Sequence, residues 1–226
     1  MNSKTVLITG ANRGIGLGLV RHYLDEGWNV HAVARGESSE LAIFAGSHPD
    51  QLVLHQLDVT DFGAIDALAA ELGQDALDVL VNNAGIYSDN QQFGALNYDD
   101  WRHVLEVNTL APAKMAEALS QTLKADGTMV FISSIQGSIA TAEGDQFIYG
   151  SSKAALNMVA KLIAAKMKER GFRVLTLHPG SVITDMNPGG KITVKDSVAG
   201  MARVIAAATP GASDIYKDYT GKALPW

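Results

Sequence analysis

Short apolar runs alternate with stretches of helical spacing along the whole chain. "TVLITG" at 5–10 predicts a strand, and "IGLGLVRHYLDEG" a helix that stops at Gly27. "NVHAVAR" is a second strand, "ELAIFAGS" a short helix, and "QLVLHQLDVTD" holds a third strand. Thr60 or Asp61 can cap the next helix, "FGAIDALAAELG". "ALDVLVNNAG" is a fourth strand, followed by a helical region over 97–124. "GTMVFISS" is a fifth strand, 147–170 a long helix and "FRVLTLHPG" a sixth strand, with a helix near 196–208 and a short strand near 213–217.

The strands are apolar throughout rather than alternating, which fits a parallel sheet covered on both faces. Regular strand–helix alternation implies right-handed crossovers and a doubly wound α/β fold. No repeat or linker divides the chain, so residues 1–226 are expected to form a single domain.

Composition narrows the function. The 226 residues are 47% hydrophobic, no apolar run is long enough to span a bilayer, and the first residues lack a secretory leader. There are no cysteines, which excludes disulfides and thiol chemistry and fits a cytoplasmic location. The net charge is −6 with scattered cations, so no nucleic-acid partner is expected. The six histidines show no metal-ligand spacing.

The first candidate chemistry is "TGANRGIG", between strand one and helix one. Gly10, Gly14 and Gly16, with Asn12, Arg13 and Ile15, form a turn that lets an anion approach backbone without meeting a Cβ. The helix start beyond it offers free N–H groups to a pyrophosphate. At the end of strand two an acid would bind the ribose of NAD, whereas an arginine suits the 2′-phosphate of NADP. Ala34 stands at the acid's place and Arg35 follows, with Arg13 nearby; this favours NADP(H), with NAD(H) the alternative. A second candidate is "YGSSK", which sets Tyr149 and Lys153 one helical turn apart on one face.

"TGANRGIG", "LDV" at 57–59, "NNAG" at 82–85, Asn108 in "VNTLAP", "ISSIQG" at 132–137, "YGSSK" and "HPGSVIT" at 178–184 occur in an order that resembles the short-chain dehydrogenase/reductases. The likeness is nearest to the compact carbonyl-reductase-like branch that includes the C-factor and sniffer proteins, on "ANRGIGLGLV", "SKAALNM" and "YTGKALPW". The resemblance implies one Rossmann-type domain with about seven parallel strands in the order 3-2-1-4-5-6-7. It also implies NAD(P)(H), a small carbonyl or alcohol substrate, a homodimer or homotetramer, and a tetrad of Asn108, Ser134, Tyr149 and Lys153. The fifteen positions between Ser134 and Tyr149 form a longer interval than many members have, with the excess in "TAEGDQF".

On this reading Tyr149 is the general acid/base. Its ordinary pKa of about 10 must fall for it to cycle near neutrality, and Lys153 is expected to lower it. Ser134 would hold the substrate oxygen, with Ser133 structural, and Asn108 would mark a distortion in the fourth helix and a relay to Lys153. Asp58 and Val59 would meet the adenine, and Asn83, Ala84 and Gly85 the cofactor at the end of strand four. Lys153 would also bind the nicotinamide ribose. Pro179, Gly180, Val182 and Thr184 follow strand six at the cofactor, where Thr184 and the backbone near Val182 would fix the carboxamide. The leading expectation is an NADPH-dependent carbonyl reductase; a cofactor-sensing regulatory protein and an NAD-linked alcohol dehydrogenase are the alternatives.

Overall fold

The computed structural model describes residues 3–226, so the first two residues of the expected domain and of its opening segment lie outside it. Seven parallel strands form one sheet: β1 (Thr5–Thr9), β2 (Asn29–Ala34), β3 (Leu52–Gln56), β4 (Leu77–Asn82), β5 (Leu123–Ile132), β6 (Arg173–His178) and β7 (Tyr216–Asp218). Their order is β3-β2-β1-β4-β5-β6-β7, as the resemblance implied. After β3 the winding reverses, and β4 pairs with the other side of β1 (Val6 opposite Val79, Ile8 opposite Val81). Ligands of open α/β sheets bind in the crevice at such a reversal, beyond the carboxyl ends of the strands.

The helices are α1 (Gly14–Asp25), α2 (Ser39–Ser47), α3 (Phe62–Leu72), α4 (Tyr98–Leu105), α5 (Ala111–Ala118), α6 (Phe147–Met167) and α7 (Val194–Ala206). Asp61 rather than Thr60 caps α3, its carboxylate accepting from the Ala64 amide. One apolar layer joins Leu19 and Val20 of α1 and Val198 and Met201 of α7 to Val6, Ile8, Val79 and Val81. The opposite layer joins Ile65 of α3, Met115 of α5 and Leu156 of α6 to Leu7, Leu80 and Phe131. Val6, Leu7 and Ile8 are fully buried, which explains why strand one reads as a continuous apolar run. Each such side chain contributes about 1.5–3 kcal/mol on burial.

Two boundaries differ from the sequence reading. The helical region expected over 97–124 ends at Ala118, and β5 starts at Leu123 instead of 127. Met115, Leu119 and Leu123 have helical spacing, and all three are buried in one core layer. Leu123 reaches it from a strand, paired with Leu77 across a shift in register. The strands β3 and β5 also stop two residues before Asp58 and Ser134, which therefore lie on the loops that leave the sheet. Among the described residues no helix is long and apolar enough to cross a membrane.

Candidate functional site

The turn after β1 is built around its glycines. Gly10 and Gly14 have φ of +63° and +53°, a region where a Cβ is strained. A Cβ on Gly16 would lie 2.1 Å from the Gly10 carbonyl oxygen, and one on Gly10 would lie 2.8 Å from Cα of Ala84. Asn83 staples the turn from β4, its side-chain amide donating to the carbonyls of Thr9 (2.9 Å) and Gly10 (3.2 Å). Thr9 Oγ1 in return accepts from the amides of Asn83 and Ala84, both at 3.0 Å.

Above this turn runs a cleft of about 520 Å³. Its walls contain Gly10, Asn12, Arg13, Gly14, Ile15, Gly16, Arg35, Asp58, Val59, Asn83, Ala84, Gly85, Tyr149, Lys153, Pro179 and Thr184. Of the expected cofactor residues, Gly180 and Val182 are not in that wall. Val182 is buried, and its amide donates back to the Gly180 carbonyl at 3.1 Å. Gly180, at φ +87°, faces Ile192 and Tyr219 instead. The cleft adds Ile86, Val107, Asp185 and Met186, which the sequence did not single out.

A dinucleotide fits these residues: two glycines whose Cβ would fill the turn, a helix start, and an open channel along the ends of β1, β2 and β4. Arg35 lies 3.5 Å from Asp58 and Arg13 3.5 Å from Asp185, and both arginine side chains are largely exposed. Such exposed pairs are worth little, so either guanidinium is available to an incoming anion. The Asp58 carboxyl is held below its ordinary value, first by the Thr60 amide and then by the Thr60 hydroxyl and Arg35, against some desolvation.

Of the four expected catalytic residues, Tyr149 and Lys153 line the cleft, whereas buried Asn108 and Ser134 are not in its wall. Asn108 lies in a π-helical segment, Glu106–Leu110, between α4 and α5, so the distortion anticipated in the fourth helix is one widened turn. Its buried amide is fully engaged: Oδ1 accepts from Ile86 N at 2.8 Å, and Nδ2 donates to Ile86 O at 2.9 Å and Ser152 Oγ at 3.0 Å. Asn108 Oδ1 and Lys153 Nζ converge on Gly85, where a Cβ would meet them at 3.3 and 3.5 Å. Ser133 lines the cleft, and its Oγ is bonded to buried Asn157 Oδ1 at 2.7 Å, in keeping with a structural role. The Ser134 hydroxyl accepts from the Gln136 amide at 3.2 Å and lies close enough to the Tyr149 phenol to pull its pKa down. Behind Ser134, buried Tyr216 donates its hydroxyl to the Ser134 carbonyl at 2.5 Å. Trp226 packs on Tyr216, with ring centres 5.2 Å apart, and accepts from the Ala140 amide at 2.9 Å.

Lys153 Nζ is 5.6 Å from the Tyr149 ring centre and donates to the Ile132 carbonyl at 2.9 Å. The turn at 135–137 packs directly on this part of α6, since a Cβ on Gly137 would lie 2.8 Å from the Lys153 carbonyl carbon. Electrostatics depart from the sequence expectation here. Burial pushes the Tyr149 phenol up to about 12, with the Ser134 hydroxyl pulling the other way. Burial also brings Lys153 down to about 8. Desolvation of the phenol, and then the neighbouring Tyr87 and Tyr216, set the upward direction, while the ammonium is directed to the Ile132 carbonyl.

Residues 4–195 match the family described as short chain dehydrogenase. The chain belongs to the short-chain dehydrogenase/reductase family. It is 34% identical over 230 residues, 98% of its own length and 99% of the relative's, to 1-hydroxy-2-glutathionyl-2-methyl-3-butene dehydrogenase of Rhodococcus sp. strain AD45. Among solved structures, a short-chain dehydrogenase/reductase from Burkholderia multivorans with bound NADP superposes with a TM-score of 0.94 at 32% identity, covering 100% of both chains. The NADPH-bound carbonyl reductase from chicken fatty liver superposes with a TM-score of 0.90 at 33% identity, again over 100% of both. These likenesses bear out the carbonyl-reductase-like branch read from the sequence. The protein is therefore an oxidoreductase of this family.

Proposed function

We propose that the protein is an NADPH-dependent carbonyl reductase acting on a small, fairly apolar aldehyde or ketone. One observation carries the reading: Tyr149 and Lys153, one helical turn apart with Nζ 5.6 Å from the phenol ring centre, both line the glycine-lined cleft. Arg13 and Arg35 in the cleft wall, with Ala34 instead of an acid, support a 2′-phosphorylated cofactor. The NADP and NADPH bound in the two solved relatives support it further.

The nicotinamide supplies hydride to the substrate carbon when bound. The chain's own residues manage the oxygen. Ser134 donates a hydrogen bond to the carbonyl oxygen and sets its distance from Tyr149. As the C=O π pair moves onto that oxygen, the phenolic O–H of Tyr149 breaks and its proton passes to the oxygen, giving the alcohol. Lys153 stabilises the phenolate left behind, and its ammonium binds the nicotinamide ribose. Asn108 fixes Ile86 and Ser152 around this centre. Thr184 and Pro179, which line the cleft, would hold the nicotinamide end, and Asp58 and Val59 the adenine end. A phenol pushed up to about 12 stays protonated near neutrality, which loads it as the acid for reduction rather than the base for oxidation.

Two copies are proposed to pair through the outer face of α6 and the end of the π-helical segment before α5, where Met158, Leu162 and Leu110 are more than half exposed.

The test is a panel of aldehydes, ketones and quinones assayed with NADPH and NADH by nucleotide absorbance. Reduction with NADPH, lost in Tyr149→Phe while nucleotide still binds, is the expected result. Turnover in Tyr149→Phe equal to the unmodified protein overturns the assignment.

A further inference from the structure

Helix α6 carries Tyr149 at the third position of its first turn, yet it starts without a cap of its own. The residue before it, Gln146, is held at φ 59° and ψ 36°, and its side chain makes no capping bond. An ordinary cap has extended backbone and accepts from the second or third amide of the helix. Here the third amide, that of Tyr149, donates 3.0 Å to Oε1 of Gln91, a residue 58 positions earlier in the loop after β4. Gln91 is buried, at 7% exposure. Its Nε2 donates to the Ser88 carbonyl at 2.6 Å and to Gln146 Oε1 at 3.4 Å. One amide group thus closes the helix start and ties it to a neighbouring loop.

That loop is itself held at fixed points. Asn108 grips both polar backbone atoms of Ile86. Ser88 Oγ donates to Asp100 of α4 at 2.8 Å, and Asn90 Nδ2 reaches the same carboxylate at 2.9 Å. Tyr87, between these anchors, sets its ring 5.4 Å from the Tyr149 ring. The other backbone polar atom of Tyr149, its carbonyl oxygen, accepts from Ser152 Oγ at 2.7 Å, and that oxygen is bonded by Asn108. The amide of Tyr149 is therefore fixed by Gln91 from outside the helix, and its carbonyl by Ser152 of α6, which Asn108 holds in turn.

We propose that Gln91 is a positioning residue for Tyr149, supplying in trans the cap that α6 lacks and so setting where the phenol stands relative to Ser134. The proposal rests on the assignment of Tyr149 as proton donor. Without the Gln91 acceptor the Tyr149 amide is orphaned, the first turn of α6 loosens, and the phenol loses its fixed distance to the substrate oxygen. Misplacement on the order of 1 Å can cost about a hundredfold in rate.

The test compares Gln91→Leu, which cannot accept, with Gln91→Glu, which keeps the acceptor. With 9,10-phenanthrenequinone and NADPH, Gln91→Leu is expected to lower kcat at least about tenfold with nucleotide affinity unchanged, and Gln91→Glu to stay within about threefold. A Gln91→Leu protein that is less stable but turns over normally per folded molecule overturns the proposal. A second readout needs no activity: ¹⁹F NMR of fluorotyrosine-labelled protein, with the Tyr149 signal assigned by Tyr149→Phe. One sharp line in the unmodified protein and in Gln91→Glu, shifted or broadened in Gln91→Leu, supports the proposal; an unaltered line in Gln91→Leu overturns it. Should Gln91→Leu fail to fold, Gln91→Glu decides. With the acceptor kept, its ¹⁹F line and turnover are expected to match the unmodified protein, and a broadened line with a loss of about tenfold in kcat overturns the proposal. If the unmodified protein reduces no carbonyl while the ¹⁹F line responds as expected, the functional assignment fails and the positioning role stands.

Discussion

Lys153 Nζ lies 2.9 Å from the carbonyl oxygen of Ile132 and is buried to 3% exposure. The strand that leads to Ser134 therefore supplies the acceptor for the charged end of α6. Burial lowers this amine from 10.5 to about 8. The unfolded chain holds the proton between those values and the folded chain releases it, so this group adds stability as pH rises through the window and removes it as pH falls toward 8. Denaturation of the unmodified protein and of Lys153→Met at pH 8 and pH 10 is expected to show a gain with pH only in the former. Turnover that needs the ammonium falls over the same range. Above pH 10 the Tyr149 phenol, raised to about 12, acts with the opposite sign.

Arg35 is exposed and paired only with Asp58 at 3.5 Å, so its removal costs the fold little. A charge-assisted bond to a 2′-phosphate is worth about 1.5–3 kcal/mol. Arg35→Ala is expected to weaken NADPH binding by about tenfold to a hundredfold and leave NADH binding unchanged, as read by fluorescence titration. Equal losses for both nucleotides would remove Arg35 from the phosphate site.

Adjacent serines separate stability from chemistry. Ser133 Oγ bonds Asn157 Oδ1 in the interior at 2.7 Å, whereas the Ser134 hydroxyl faces Tyr149. Ser133→Ala is expected to lower unfolding free energy by about 1–3 kcal/mol with turnover retained. Ser134→Ala is expected to lose turnover at least about a hundredfold with a smaller change in stability. Parallel melting and steady-state assays check the contrast.

His31 and His55 meet across β2 and β3 with ring nitrogens 2.8 Å apart. Desolvation, and then His55, lower His31 to about 4; desolvation also lowers His55, and Glu71 opposes both shifts. The folded chain thus resists protonation that the unfolded chain accepts, and stability is lost as pH falls from about 6.5 toward 4. The double variant His31→Val/His55→Val is expected to have a flatter melting temperature over this range than the unmodified protein.

Much of this was legible beforehand because it depends on local chemistry. A turn that admits no Cβ demands Gly10 and Gly16, and a phenol and an ammonium on one helical face demand the spacing of Tyr149 and Lys153. What escaped the sequence depends on contacts between distant segments. Met115, Leu119 and Leu123 keep helical spacing across a helix end because the core, not the chain direction, sets their burial. Gln91 has no local signature, since its partner is an amide 58 residues away. The upward shift of Tyr149 follows from how completely the folded chain encloses it, and charge spacing along a helix carries no record of that.

The widened turn at Glu106–Leu110 accommodates one residue more than a regular helix would. Deleting a single residue there would restore an unbroken rod and improve its hydrogen bonding. The rod beyond would keep its phase, so Met115 would stay against the sheet, while the bulged level that carries Asn108 to Ile86 and Ser152 would be lost. The irregularity takes up the extra residue, letting one continuous rod present a polar amide inward at one level and an apolar seam inward at the next.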